Sequence, residues 1–104
     1  MPEHAEQIRV LRDFQAHLCA DRVHLGDMLE QRDRVKGERT AHRMKGSSQM
    51  VGATGIAHAC AVIEQAVRDG KLADACAAMA GLDEGIKRLE AHCMELKEAN
   101  GGNQ

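Results

Sequence analysis

Thr40-Ala41-His42-Arg43-Met44-Lys45-Gly46-Ser47-Ser48-Gln49 is the stretch whose reading decides how this chain folds. Wound as a helix at about 100° per residue, it has two unlike faces. Ala41, Met44, Ser48 and Val51 share one side and are small or apolar enough to pack. Glu38, Arg39, His42, Lys45, Gly46, Gln49 and Ala53 share the other. The pattern predicts a solvent-facing imidazole with a lysine and a glycine beside it one turn on. A glycine inside a helix costs about 1 kcal/mol relative to alanine. The apolar pattern nevertheless continues to Val51, so the helix does not end at Gly46, and the bare backbone there suits close approach by another molecule. An exposed imidazole, a neighbouring ammonium and an open patch of helix suggest a group that a macromolecule must reach.

Composition sets the fold class. The chain has 104 residues, enough for one domain and one core but not for a nucleotide-binding catalytic domain as well. Phe14 is the single aromatic of the Phe, Trp and Tyr set, and Pro2 the single proline. Helix formers dominate and β-branched residues are few, which reads as all-α. A formal net charge of −2 gives no overall field to recruit nucleic acid or an anionic membrane. The apolar runs are too short to span a bilayer and no signal peptide stands at the N-terminus, so the expected compartment is the cytoplasm.

Outward from the central stretch, helical patterning covers most of the chain. Residues 3 to 19 carry Ile8, Leu11, Phe14 and Leu18 at helical spacing, and Asp21 is a candidate cap for a second helix bearing Leu25, Met28 and Leu29. Residues 3–33 read equally as one bent helix or two, since Gly26 accommodates either. Residues 31–37 read as a charged connection, with the His42 helix starting at Val35 or Glu38. Gly52-Ala53-Thr54-Gly55 reads as a turn with Thr54 as the next N-cap. Ile56, Cys60, Ile63 and Val67 then form a stripe that stops at Asp69-Gly70, a glycine C-cap signal. Leu72, Ala75, Met79, Leu82, Ile86, Leu89, Cys93 and Leu96 form the seam of the last helix, which Gly81 and Gly85 could bend or open to a neighbour. Short connections between amphipathic helices predict an up-down-up-down antiparallel four-helix bundle with an additional N-terminal helical element. The expected domain is residues 1–98, followed by a frayed polar tail over 99–104.

For His42 to act as a nucleophile it must be neutral, exposed and held in one tautomer by a partner on its other ring nitrogen. Lys45 disfavours imidazolium by its charge and could pair with an incoming phosphoryl group. Glu64 lies about 80° from Ile56 around the following helix. It therefore flanks the buried stripe, from where its carboxylate could reach sideways to accept the ring N–H. Arg39, Arg43 and Lys45 make this face locally cationic, which suits an acidic partner pocket.

Ala41-His42-Arg43-Met44-Lys45-Gly46-Ser47-Ser48, then Val51-Gly52-Ala53, then Cys60-Ala61-Val62-Ile63-Glu64, resembles the signature of histidine-containing phosphotransfer (HPt) domains. Written loosely, that signature is A-H-x-L-K-G-S, then L/V-G-A, then C-x-x-L-E. The resemblance implies that His42 accepts a phosphoryl group at its outer ring nitrogen from a receiver-domain aspartate and passes it to another receiver. It also implies that Lys45 neutralises phosphate charge, that Gly46 admits the receiver and that Glu64 orients the ring. Expected partners are response-regulator receiver domains, including that of a hybrid sensor kinase. The docking face is read as Arg39, Arg43, Gly46, Gln49, Met50 and Ala53. The chain is expected to be a monomer without a cofactor of its own, any Mg²⁺ being held by the receiver, and without an ATP site. Met44 stands where leucine is usual, a packing change. Many members carry glutamine at the Glu64 position, so the charge beside the imidazole differs here.

Two other readings compete: a helical adaptor that docks on receivers without carrying phosphate, and a phosphoacceptor domain of a larger kinase. Cys19, Cys60, Cys76 and Cys93 lie among apolar helical positions without C-x-x-C spacing and read as buried reduced thiols. His4, His17, His24, His58 and His92 read as solvated or boundary residues, and no spacing matches a closed metal site. Glu64 could instead pair with Arg68 at i+4 on its own helix.

Overall fold

A computed structural model describes the backbone of residues 2–101 and the side chains of residues 5–98. Four helices and no strand occur among the described residues: α1 (Pro2–Glu30), α2 (Arg34–Met50), α3 (Thr54–Arg68) and α4 (Leu72–Gly101). Each helix packs on its neighbours in sequence and α1 closes against α4, and among the described residues the backbones do not approach closely across either diagonal. Leu25, Met44, Ile63, Val67 and Leu82 fill the centre of this ring and are almost completely buried.

The N-terminal stretch forms one helix, so the additional N-terminal element expected from the sequence has no counterpart among the described residues. Asp21 caps nothing. It lies inside α1 and accepts a hydrogen bond from Arg43 Nη2 at 2.9 Å, tying α1 to α2. Arg22, beside it, binds Asp83 of α4 through both oxygens, at 2.7 and 2.9 Å. That hydrogen-bonded guanidinium holds the Asp83 carboxyl below its ordinary value. These charged residues serve as inter-helix ties in the middle of α1, and the helix runs straight through them.

The charged connection is shorter than the sequence suggests. Arg32 adopts a left-handed φ of 58° and ends α1, with Asp33 N–H returning to Met28 O at 2.8 Å. Asp33 then caps α2, accepting from Lys36 N–H at 3.1 Å, so the chain is already helical from Arg34. Gly37, expected in the connection, is buried in α2 near Val67, Leu29 and Met28. Thr54 does not cap α3 either: Ala53 holds that position, without a side-chain bond, and Thr54 is the first helical residue. The stop at Asp69-Gly70 is as expected, with Lys71 N–H bonded to Ala66 O at 2.8 Å. Arg34 reinforces it by donating to the carbonyls of Val67, which also accepts from Gly70 N–H, and Arg68, at 3.3 and 3.0 Å. α4 begins at Leu72 as expected and continues to Gly101, past the expected boundary at 98. The remainder of the expected frayed tail, residues 102–104, lies outside the described residues.

Cys60 and Cys93 are buried and Cys19 half-buried, but Cys76 is exposed. It lies one residue, about 100° around the helix, from the buried Ala75. Burial first, then the charges of Asp21 and Glu64, push the Cys60 thiol up to about 12, so it stays protonated. His17, His24, His58 and His92 are exposed, and the side chain of His4 lies outside those described.

Two mid-helix glycines do opposite jobs. A Cβ on Gly85 would come within 2.8 Å of Ile56 Cγ1, so α3 and α4 touch there. A Cβ on Gly46 would meet nothing within 4 Å. Gly85→Ala should therefore lose about 1–3 kcal/mol to overpacking. Gly46→Ala should gain up to about 1 kcal/mol from helix propensity. Urea denaturation of both variants measures the contrast.

Candidate functional site

The site straddles the seam between α2 and α3. His42 projects from the polar face of α2, its side chain 68% exposed, whereas the Glu64 side chain from α3 is only 5% exposed. His42 Nδ1 and Glu64 Oε2 are 2.7 Å apart. Lys45, one turn along α2, donates its ammonium to Glu64 Oε1 at 2.6 Å. Arg68, one turn along α3, donates Nη2 to Glu64 Oε2 at 3.2 Å and Nε to Glu38 Oε1 at 2.8 Å. Five side chains from two helices thus form one connected polar cluster.

Burial by itself pushes the Glu64 carboxyl up, but the hydrogen bonds from Lys45 and His42 outweigh it and hold the group below the ordinary 4.5. An ionised carboxylate only accepts hydrogen bonds, so the proton between Glu64 and His42 belongs to Nδ1. Nε2 then carries the free lone pair on an exposed ring. One ring nitrogen is anchored and the other is presented to solvent, the geometry that a nucleophilic imidazole requires.

The sequence model described as "Hpt domain" matches residues 2–92. This chain belongs to the Hpt domain family. Membership assigns it to phosphotransfer in phosphorelay signalling, in which Hpt domains act as phosphocarriers that meet receiver domains. No curated protein and no solved structure matches the chain. Among the described residues no helix is long and apolar enough to cross a membrane, and no three His, Cys, Asp or Glu side chains gather as metal ligands.

Within this Hpt domain the structure brings His42, Lys45 and Glu64 together, and it differs from the sequence reading in two details. Glu64 does more than flank the stripe: it is itself buried. Lys45 is engaged with Glu64 rather than standing free beside the ring. The residues read as a docking face are spread along the molecule. Arg39 lines a groove with Val35, Glu38, His42, Glu64 and Arg68. Arg43 and Gln49 are exposed, Arg43 being bound to Asp21. Met50 is 89% exposed and lies on a separate groove with Val10, Leu11 and Leu96. Ala53 is half-buried against the core.

Sequence reasoning treated the Glu64–Arg68 pair as an alternative to the His42–Glu64 contact, whereas both exist on one carboxylate. It also missed Glu38. Glu38 precedes His42 by four residues and Arg68 follows Glu64 by four, so any antiparallel pairing that joins 42 to 64 joins 38 to 68 as well.

Because the folded Glu64 carboxyl lies below its ordinary value, its stabilisation is fully present above about pH 4.5 and is lost as pH falls through the lower folded value. The stability advantage of wild type over Glu64→Gln should therefore be present above about pH 4.5 and shrink as pH falls below it. Chemical denaturation of the two proteins from pH 4.5 downward checks it; an advantage that grows over that interval contradicts the assignment. In ¹⁵N spectra at neutral pH the neutral His42 ring should appear as the Nδ1–H tautomer, and Glu64→Ala should release it toward the mixture seen in free imidazole.

Proposed function

We propose that this Hpt domain is a phosphorelay intermediate in which His42 Nε2 takes a phosphoryl group from an aspartyl phosphate of one response-regulator receiver and gives it to another. A hybrid sensor kinase's receiver is a natural donor. The observation that carries the reading is the pairing of an exposed imidazole with a buried carboxylate at 2.7 Å. Such a contact has no purpose in core packing, because the ring it fixes lies outside the core. Lys45 is the residue to neutralise the arriving phosphoryl charge, exchanging its bond to Glu64 for one to phosphate. The receiver docks along α2 and the turn that follows it, through Arg39, Arg43, Gly46, Gln49, Met50 and Ala53, with Gly46 leaving room for its backbone or side chains.

The contact pairs Asp21–Arg43, Glu38–Arg68 and Arg22–Asp83 support an up-down-up-down antiparallel order of the helices. In that order α2 and α3 form the hairpin that carries the site. The chain acts as a monomer in the cytoplasm, without an ATP site or kinase activity of its own. The receiver supplies Mg²⁺ and in-line geometry, and this chain supplies the positioned nucleophile.

The test is transfer from a phosphorylated receiver to wild type, His42→Ala and His42→Gln. Wild type should acquire an acid-labile, base-stable label, as a phosphoramidate is, and both variants should stay unlabelled. Equal labelling of His42→Ala would refute the assignment. A receiver that binds wild type yet labels it nowhere would make the chain a docking adaptor instead.

A further inference from the structure

Three donors converge on the two oxygens of Glu64. Lys45 occupies Oε1, while His42 Nδ1 and Arg68 Nη2 share Oε2 at 2.7 and 3.2 Å. Holding the ring in one orientation needs only an acceptor, and an amide oxygen would serve. A carboxylate adds a negative charge, and that charge acts on the ring in whatever state the ring is in.

Resting on the relay reading above, we infer that Glu64 keeps the proton on Nδ1 after His42 is phosphorylated. The phosphoryl group is thereby made short-lived and readily surrendered, and Arg68 moderates the effect by sharing Oε2. When the Nε2 lone pair forms the N–P bond, the P–O bond to the receiver's aspartyl group breaks and its carboxylate leaves as an anion. The hydrogen on Nδ1 stays, so the ring becomes a phosphoimidazolium. A cationic N–H donor facing an ionised carboxylate is a charge-assisted hydrogen bond, which favours that form. From it, attack on phosphorus by the next carboxylate breaks the P–N bond and returns the electron pair to Nε2. The departing group is neutral imidazole, and no proton moves. If water attacks instead, its proton goes to solvent. A ring lacking the Nδ1 proton would have to depart as imidazolate, a far poorer leaving group.

The other charges around the ring fit this division of labour. From α2, Glu38 is paired with Arg68 and Arg39 lines the same groove. From α3, Cys60 lies one turn before Glu64 and remains a neutral thiol. From α1, Asp21 is bound to Arg43, and among the described residues no side chain of α4 bonds to His42 or Glu64. If Lys45 turns to the phosphoryl group, Arg68 is the cation left on the carboxylate.

The experiment labels wild type, Glu64→Gln and Arg68→Gln with phosphoramidate, a small donor that needs no receiver, and follows the phosphohistidine by ³¹P NMR across the neutral pH range. Glu64→Gln should lengthen its lifetime several-fold and move the onset of rapid loss to lower pH. Arg68→Gln should shorten it, because the whole charge of Oε2 then faces the ring. Loss of ring orientation alone would not move the two variants in opposite directions. Circular dichroism verifies their folding. If Glu64→Gln does not fold, Arg68→Gln decides alone, its side chain lying outside the core. Lifetimes that do not change, or that change in the same sense, overturn the inference, as does a wild type that phosphoramidate cannot label. Labelling by phosphoramidate but by no receiver defeats the relay reading and leaves the lifetimes to judge this one.

Discussion

The contact between His42 Nδ1 and Glu64 is the constraint that the rest of the structure satisfies. A carboxylate buried without partners costs several kcal/mol, enough to consume much of a small domain's stability. Glu64 is tolerable in α3 only because Lys45 and Arg68 neutralise it and His42 donates to it. Folding therefore requires the same contact that fixes the imidazole. Any rearrangement that released the imidazole would also leave a buried anion less well paired.

That requirement propagates through the hairpin. The Val51–Ala53 connection fixes the register of α2 against α3, and Glu38–Arg68 repeats the register one turn from His42–Glu64. On the inner side, Met44, Ile63 and Val67 pack where the same two helices meet. The hairpin is apolar on one side and carries an ionic ladder on the other. α1 and α4 complete the core and, among the described residues, add no side chain to the cluster.

Much of this was legible in the sequence because it follows from periodicity. The solvent face of His42, the inner stripe of α3, the glycine stop at Gly70 and the start of α4 all rest on spacing that local geometry enforces. What escaped was decided by partners distant in sequence. Asp21 has the chemistry of a cap, but Arg43 recruits it into the middle of a helix. Asp33 was hidden in a run of charges whose members are caps and ties rather than a loop. Thr54 fell one residue inside the helix it was expected to start, a shift that apolar spacing does not register. Cys76 belongs to an apolar segment yet faces outward by a single step of the helix. For Glu64 the sequence offered two partners as alternatives, and only three-dimensional proximity reveals that one carboxylate serves both.

The helices are unequal: α1 and α4 have 29 and 30 residues, α2 and α3 only 17 and 15. At about 1.5 Å per residue the outer pair is nearly twice as long as the inner hairpin, and the molecule measures 51 × 19 × 19 Å. The outer helices therefore extend past the inner pair, and where they do the section has only two helices. Side chains in a two-helix section have fewer neighbours, so less free energy separates it from local opening. Opening at the thin end need not reach the α2–α3 seam, where His42 and Glu64 meet. The excess length of the outer helices thus separates loosening of the thin end from the His42–Glu64 contact.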